Sequence, residues 1–288
     1  MKVCFLPYVA GMWRSMAPLY QEHIEAGDDV SVMPIPYYGR DQDGELSYPH
    51  YDYGFPVPVK DYRETDLAAE HPDIIYYHYP YDDHNRVTSV DPAYYSYNIR
   101  KYCDKLIYTP YYTLAVDDCD AGAGCVSGIQ CADAVITWSE KQRNNYAACL
   151  PRKEVIYKKR PKLEGSPVPE DWEERIAGRH VAFLNNSLYA LINNPKRELE
   201  HLDKAIRGYR NMCLWWRPHP LFVDTIKALF PQYSSTYYQT MNRFLDRHDI
   251  YDDTWDVDRA AVRCHEYIGD PSSLERLFTE QGKKVTIL

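Results

Sequence analysis

Two short stretches in the carboxyl-terminal half combine residue types that can bind phosphate. The first is the apolar run Met212–Trp216, which is followed directly by Arg217 and by His219 between two prolines. The prolines end the strand and stiffen the loop. Arg217 and His219 are therefore predicted to stand at the carboxyl end of a buried strand, where open α/β sheets bind ligands.

The second stretch repeats this arrangement about fifty residues later. A short strand at Tyr267–Ile268 leads into the turn Gly269–Asp270, and a proline follows. Ser272 and Ser273 then open a helix, since serine and proline both favour helix starts. Backbone N–H groups and two hydroxyls at a helix start can hold a phosphate. Taken singly, such turns are common in α/β proteins without any function; together they predict a phosphate-bearing ligand.

The side chains around these stretches suggest individual roles. Arg217 is predicted to hold phosphate through two parallel hydrogen bonds. His219 is assigned to catalysis: it adds positive charge if protonated and donates one hydrogen bond if neutral. Asp270 would repel a phosphate, so it is expected to orient Arg217 or His219 instead. Asn185 and Ser187 follow another predicted strand and can offer further donors.

The elements that position these residues alternate between strand and helix along the chain. This alternation predicts doubly wound parallel sheets. The predicted strands are Val3–Leu6, Asp29–Ile35, Pro72–Tyr79, Leu106–Tyr108, Ala132–Thr137, Val155–Tyr157, His180–Leu184, Met212–Trp216, Ile250–Tyr251, Tyr267–Ile268 and Val285–Leu288. The Tyr-, Gly- and Pro-rich segment Tyr37–Pro58 is predicted to be a long ordered loop.

A change of composition divides the chain. Charged residues, Pro, Gly and Ser cluster between Lys158 and Trp172, which predicts a linker or hinge. We therefore expect one α/β domain over residues 1–162 and a second over residues 163–288, facing each other across a ligand-binding cleft, in a GT-B-like architecture.

Composition and charge exclude several classes of protein. The 42 acidic and 33 basic residues give a net charge of −9, which argues against a nucleic-acid-binding protein. We find neither a signal peptide nor an apolar run long enough for a bilayer, so a cytoplasmic protein is expected.

The cysteines and the lysines suggest fewer specific roles. The eight cysteines are expected to be reduced thiols. Cys119, Cys125 and Cys131 lack the close pairs typical of zinc sites, so we expect no metal and no cofactor. A basic run could attract an anionic acceptor or a membrane surface, or it could be a solvated linker. This run comprises Lys153, Lys158, Lys159, Arg160 and Lys162.

Several motifs together resemble a known family. The stretches WRPHP and GDPSS, with IYDDTWDVDRA between them, are similar to the donor half of the CDP-glycerol glycerophosphotransferases, the teichoic acid polymerases and primases. The acceptor half of a bacterial branch of that family is similar to KVCFLPYVAGMW, MPIPYYGRD, RETDLAAEHPDIIYYHYPYD, NRVTSVDPAYYS and LIYTPYY. The resemblance covers nearly the whole chain.

The resemblance implies an activity and a distribution of roles. A glycerol phosphate would pass from CDP-glycerol, or a related polyol phosphate from its CDP-activated donor, to a hydroxyl of a cell-envelope polymer or glycolipid. The loop containing Asp253 and Thr254 would contact the nucleotide ring. The family also carries a His-Gly dipeptide in its acceptor half, read as the general base, and this chain has none there. His78 and Asp82, at a predicted strand end, are expected to replace it, although His78 could equally be a buried histidine beneath the tyrosines.

Three functions remain open on the sequence. The first is glycerophosphate transfer to a polyol-phosphate or glycolipid acceptor, with possible peripheral association at the inner face of the membrane. The second is glycosyl transfer from a nucleotide sugar in the same kind of fold. The third is a degenerate homologue that binds a nucleotide without catalysis, which the missing His-Gly dipeptide favours.

Overall fold

A computed structural model describes residues 1–41, 43–85, 87–110, 126–159 and 162–288, with all side chains in these ranges except those of Tyr48 and Ser273. Cys119, Cys125 and Arg160, which the sequence analysis singled out, lie outside the described residues. The chain divides into two compact units. The first comprises residues 1–40 and 45–161, and the second residues 41–44 and 162–288.

The first unit is built on a six-stranded parallel sheet in the order β2-β1-β5-β7-β8-β9. Its elements are β1 (Lys2–Leu6), α1 (Ala17–Glu25), β2 (Asp29–Val32), β3 (Tyr37–Arg40), β4 (Leu46–His50), α2 (Leu67–Glu70), β5 (Ile74–Tyr77), β6 (Thr88–Val90), α3 (Ser96–Ile99), β7 (Lys105–Tyr108), α4 (Ser127–Cys131), β8 (Ala134–Thr137), α5 (Glu140–Cys149) and β9 (Glu154–Tyr157). The strand order reverses between β1 and β5. Strand β2 lies on one side of β1, and the later strands β5, β7, β8 and β9 follow on the other side.

A small antiparallel sheet belongs to the same unit. Strand β3 pairs with both β4 and β6. The prediction of a long loop over Tyr37–Pro58 is therefore wrong for its first half, which contains two strands. The reason is long-range pairing: β6, a partner of β3, lies about fifty residues further along the chain, so local composition could not indicate it.

The second unit is built on a five-stranded parallel sheet in the order β12-β11-β10-β13-β14. Its elements are α6 (Glu170–Ile176), β10 (Val181–Asn185), α7 (Leu188–Asn193), α8 (Pro195–Gly208), β11 (Cys213–Arg217), α9 (Phe222–Leu229), α10 (Ser234–Leu245), β12 (Ile250–Tyr251), α11 (Val257–Arg263), β13 (Glu266–Gly269), α12 (Ser273–Glu280) and β14 (Lys284–Ile287). Numbered along the chain, this is the order 3-2-1-4-5, which matches the first five strands of the Rossmann order 3-2-1-4-5-6.

Continuous apolar runs form the central strands because helices cover both faces of each parallel sheet. Every residue of β8, β10 and β11 is buried. In the second unit Leu184, Leu202, Trp216, Phe244 and Ile268 share one hydrophobic core. The prediction of an α/β fold with two doubly wound parallel sheets is confirmed.

The predicted linker is partly ordered against the second unit. The backbone N–H of Ser166 donates to Asp256 Oδ2 at 2.6 Å. A Cβ atom on Gly165 would lie 2.3 Å from Arg259 Cα, so glycine is needed at this close approach. Helix α6 begins at Glu170, inside the predicted linker. Residues 162–172 therefore include packed structure that composition did not indicate.

No helix in the described ranges combines the length and the apolar character needed to cross a bilayer.

Gly269 generates a test of the fold at the end of β13. Its φ is +151°, and an added Cβ would lie 2.2 Å from the carbonyl oxygen of Asn185 on the adjacent strand. We expect Gly269→Ala to lower the free energy of unfolding by about 3 kcal/mol, because the β10–β13 pairing must open to relieve the clash. Urea denaturation followed by circular dichroism measures the difference.

Gly208→Ala is the control, since an added Cβ there meets nothing within 4 Å. Its free energy of unfolding should change by less than about 1 kcal/mol. Equal stabilities of the two variants would contradict the close approach at Gly269.

Candidate functional site

The candidate site lies at the carboxyl edge of the second unit's sheet. Strand β10 runs between β11 and β13, and the register pairs Asn185 with Arg217 on one side and with Gly269 on the other. These three strand ends therefore form one row. The order of the strands reverses between β10 and β13, and open α/β sheets bind ligands at such a switch point.

Arg217 ends β11 and is held inside the protein. Its side chain is only 8% exposed, and one guanidinium nitrogen lies 3.0 Å from Asp252 Oδ1. A second nitrogen donates to the carbonyl oxygen of Thr254. Arg217 thus has partners within the protein, and its predicted pair of hydrogen bonds to phosphate stays a prediction. The prediction that Asp270 orients Arg217 is wrong, because Asp252 does so.

Asp252 is the centre of this buried cluster. It is 0% exposed and accepts hydrogen bonds from Trp215 Nε1 at 2.9 Å and from Thr254 Oγ1 at 2.7 Å. The Arg259 guanidinium lies 3.8 Å away. A carboxylate between two buried arginines, with its oxygens hydrogen-bonded, meets the condition under which a buried charge is tolerated.

Arg259 was not among the site residues predicted from sequence. Its guanidinium lies 4.7 Å from the ring centroid of Trp172 and donates to Thr254 Oγ1 at 2.9 Å. Arg259 therefore ties α11 and the start of α6 to the carboxyl end of β12. The signal that could have found it is the acidic run from Asp252 to Asp258 after a buried strand, because a buried carboxylate requires a cation.

His219 accepts a hydrogen bond from its own loop in this structure. Its Nδ1 accepts the backbone N–H of Leu221 at 3.1 Å. The proton of the neutral ring must therefore be on Nε2. Burial lowers the pKa of His219 to about 4, so the ring carries no charge near pH 7. Of the two roles considered for His219, the neutral donor fits this pKa, and its part in catalysis stays a prediction.

The loop after β13 is joined to the loop after β10. Asp270 Oδ2 accepts the backbone N–H of Ser187 at 2.7 Å. Ser272 caps α12 by accepting the N–H of Glu275 at 3.2 Å, and Asn185 Nδ2 lies 3.4 Å from the same hydroxyl. Asn185, Ser187, Asp270 and Ser272 therefore meet at the switch point. The Ser273 side chain lies outside the described part of the structure.

A buried carboxyl pair lies beneath these loops. Glu198 on α8 is 3% exposed. Burial, followed by the neighbouring Asp270 carboxylate, raises the pKa of Glu198 to about 8, although the hydrogen bond from Asn186 opposes this shift. Asn186 Nδ2 donates to Glu198 at 2.7 Å, while Asn186 Oδ1 accepts from Trp216 Nε1 at 2.7 Å. A protonated Glu198 thus connects Asp270 to the core.

A pocket of about 400 Å³ opens beside the switch point. Ser187, Glu198 and Asp270 line it together with Arg197 and His201. This volume is within the range of small-molecule sites. Its polar lining includes both the buried carboxyl pair and a cation.

The predicted nucleotide-ring contacts lie near β12. Asp253 is exposed and Thr254 is partly buried. The Thr254 hydroxyl is already bound to Asp252, and its carbonyl oxygen is bound to Arg217. A contact of either residue with a nucleotide ring stays a prediction.

The predicted pairing of His78 with Asp82 in the first unit is wrong. His78 is 0% exposed, its Nε2 accepts the backbone N–H of Tyr8 at 3.3 Å, and its Nδ1 has no hydrogen-bond partner among the described residues. Burial lowers the pKa of His78 to about 3. A ring whose lone pair is engaged and whose basicity is this low is a poor general base.

Asp82 has a local structural role. Its φ is +48°, and its two carboxylate oxygens accept the backbone N–H and the hydroxyl of Ser96, each at 2.7 Å. Asp82 therefore binds the first residue of α3. The catalytic assignment of both residues is thus corrected to a structural one.

Within the described ranges, no three His, Cys, Asp or Glu side chains stand close enough to share a metal ion.

Asp252 gives the sharpest test of the site's construction. Asp252→Asn keeps the shape of the side chain but leaves Arg217 and Arg259 without a buried counter-charge. We expect the free energy of unfolding to fall by about 3 kcal/mol. The exposed neighbour Asp253 is the control, and Asp253→Asn should change it by less than about 0.5 kcal/mol. Equal effects in urea denaturation would refute the central role of Asp252.

The raised pKa of Glu198 predicts that the free energy of unfolding depends on pH. Its pKa is raised to about 8 in the folded protein, against about 4.3 in an unfolded chain. The folded state therefore retains a proton that the unfolded state has lost, and stability falls as pH rises from about 4.3 to about 8.

Glu198→Gln mimics the neutral acid and should flatten the stability curve in this range. Thermal unfolding of both proteins from pH 5 to pH 9 tests this, with the exposed Glu200→Gln as the control. If Glu198→Gln and wild type show the same pH dependence, Glu198 is not the protonated member of the pair.

The fold is similar to that of several solved structures. No protein-family model and no curated protein matches the chain. Among solved structures, UDP-GlcNAc 2-epimerase from Methanocaldococcus jannaschii, in complex with UDP-GlcNAc and UDP, has a TM-score of 0.58 at 8% identity, over 100% of this chain and 84% of that one. A putative UDP-N-acetylglucosamine 2-epimerase from Listeria monocytogenes has a TM-score of 0.56 at 12% identity, over 100% and 79%.

The enzyme from Neisseria meningitidis, bound to UDP-GlcNAc, has a TM-score of 0.55 at 11% identity, over 100% of this chain and 82% of that one. At these identities the likeness shows the fold alone. The chain is an α/β protein with two Rossmann-like units, as in GT-B-type enzymes. All three proteins are named as UDP-GlcNAc 2-epimerases, one of them as putative, and none is named as a glycerophosphotransferase.

Proposed function

We propose that the chain is a GT-B-type enzyme that takes a nucleoside-diphosphate-activated substrate, with a nucleotide sugar as the leading candidate. The observation that carries this proposal is the switch point between β10 and β13, where the Ser187 N–H donates to Asp270 and the Asn185 amide donates to Ser272. A diphosphate would lie at the amino end of α12, against its first backbone N–H groups.

The donors at this edge suit a diphosphate. The Ser272 oxygen accepts from the helix backbone, and its hydroxyl lies 3.1 Å from that of Tyr267, which donates its own proton to the Asp270 carbonyl oxygen. The Ser272 proton is therefore directed to Tyr267 and would turn to a bound diphosphate. His219 offers Nε2–H without a charge, on the loop after the strand next to β10. Fixed donors of this kind stabilise charge that develops on a leaving diphosphate. Arg217 contributes positive potential while it holds the end of β11 against Asp252.

In glycosyl transfer, the oxygen of an acceptor hydroxyl forms a bond to the anomeric carbon of the sugar. The bond from that carbon to the diphosphate oxygen breaks, and the nucleoside diphosphate leaves with the electron pair. The acceptor's proton passes to a base. We assign no described residue to this role, because the buried His78 is a poor general base. The acceptor hydroxyl is expected on a cell-envelope polymer or glycolipid, as the motif resemblance implies.

Glycerophosphate transfer from CDP-glycerol is the second candidate. The stretches WRPHP and GDPSS favour it, because both occupy the strand ends that form the proposed site. Here the acceptor oxygen would attack the glycerol-bearing phosphorus, and CMP would leave. Peripheral association with a membrane belongs to the same proposal, since the acceptors of that family are cell-envelope molecules.

Binding measurements separate the candidates. Isothermal titration with UDP-GlcNAc, UDP, CDP-glycerol and CDP should show saturable binding of at least one nucleoside diphosphate. Ser272→Ala should weaken that binding about tenfold, since it removes a hydrogen bond to a charged group. Ser235→Ala, on an exposed helix start elsewhere in the second unit, should leave it unchanged.

The identity of the tighter ligand decides between the two donors, and product release decides between reactions. UDP release in the presence of acceptors supports glycosyl transfer, whereas CMP release supports glycerophosphate transfer. Binding without release of either product indicates a non-catalytic homologue. Failure of all four ligands to bind would overturn the proposed function.

A further inference from the structure

A group of arginines lies at the amino edge of the second unit's sheet, opposite the edge that carries the proposed site. Arg179 precedes β10, and Asp249 precedes β12. Together with Arg207, Arg210, Arg243 and Arg247 they line a pocket of about 280 Å³. We refer to these five arginines and Asp249 as the arginine pocket.

The floor of the arginine pocket is built from arginines with structural partners. Arg179 lies 2.8 Å from one carboxylate oxygen of Asp249, and Arg247 lies 2.7 Å from the other. Arg247 also donates to the carbonyl oxygens of Ile206 and Tyr209 at 2.7 Å and 2.9 Å. Arg247 therefore has a structural role, because it binds the carbonyl groups at the end of α8. Arg179 has one too, because it pairs with Asp249.

The three arginines of the rim are not explained in this way. Arg207 Nε donates to Asp203 at 2.7 Å, and Arg243 contacts the same carboxylate. Arg210 Nε donates to the carbonyl oxygen of Arg207 at 3.2 Å. In the described part of the chain these contacts use only some of the five N–H groups that each guanidinium carries. The rim therefore presents several N–H donors to solvent.

The charge of the cluster is unusual for this chain. Five arginines against the two carboxylates of Asp203 and Asp249 leave three positive charges, whereas the whole protein has a net charge of −9. Like charges held together in this way repel one another, and a bound anion relieves that repulsion.

We propose that the arginine pocket is a second anion site that binds a phosphate group, either of a soluble phosphate compound or of a phospholipid headgroup. Planar guanidiniums bind phosphate oxygens through paired N–H donors, and three of them around one pocket can contact a single phosphate from several sides. This inference does not depend on the proposed function, because the two sites lie at opposite edges of the sheet.

The test uses the full chain at about 0.15 M salt, where screening removes weak surface attraction. Isothermal titration with inorganic phosphate measures the soluble source, and flotation with phosphatidylglycerol vesicles, against phosphatidylcholine vesicles, measures the lipid source. In whichever arm binds, Arg207→Gln with Arg210→Gln should weaken binding at least about tenfold.

The control is Lys196→Gln with Lys227→Gln, which removes the same charge from two exposed lysines of the same unit. It should leave binding unchanged. Thermal unfolding confirms that each variant is folded. Equal binding by the two double variants, or no binding of either phosphate source by the wild type, would overturn the proposal.

Discussion

The carboxyl edge of the second unit depends on one buried carboxylate, that of Asp252. It lies between Arg217, which ends β11, and Arg259, which projects from α11. Removing a carboxylate from water is costly unless its charge and its oxygens are matched. Asp252 meets this condition through two arginines, the Trp215 indole and Thr254. The same contacts fix the end of β11 and the loop after β12, so this edge of the sheet is held in one conformation.

A second network holds the other half of that edge. Asp270 joins the loops after β10 and β13, and the protonated Glu198 beneath it connects both to Trp216 through Asn186. These networks place neutral donors and helix N–H groups where an anion would bind, while the arginines stay paired inside. Preorganised donors of this kind need no rearrangement when charge develops on a leaving group.

Much of the fold could be predicted from sequence because parallel strands buried on both faces are continuous apolar runs. The runs around Ile75, Val135 and Leu214 identified β5, β8 and β11 within one or two residues of their observed ends. The antiparallel strands β3, β4 and β6 could not be identified, because Tyr, Gly and Pro within β3 and β4 resemble a loop and the pairing of β3 with β6 is not local.

The candidate site residues could be placed at strand ends from sequence, but their contacts could not be predicted. The strand-end loops with His219 and Ser272 were visible as motifs, since proline and serine mark the ends of elements. Which carboxylate pairs with Arg217 is a question of tertiary structure: Asp252 and Asp270 are both acidic residues at strand ends, and only the sheet order distinguishes them. The prediction for His78 was wrong for a similar reason. Strand β5 is central in its sheet, and His78, which follows its last residue, is buried and not open to a ligand.

The central claim is that a nucleoside diphosphate binds at the switch point between β10 and β13. Amide hydrogen exchange with and without saturating UDP or CDP tests it most directly, because it locates the contact on the chain. We expect slower exchange of amides in residues 185–190 and 269–276. Slower exchange that omits both switch-point segments would contradict it.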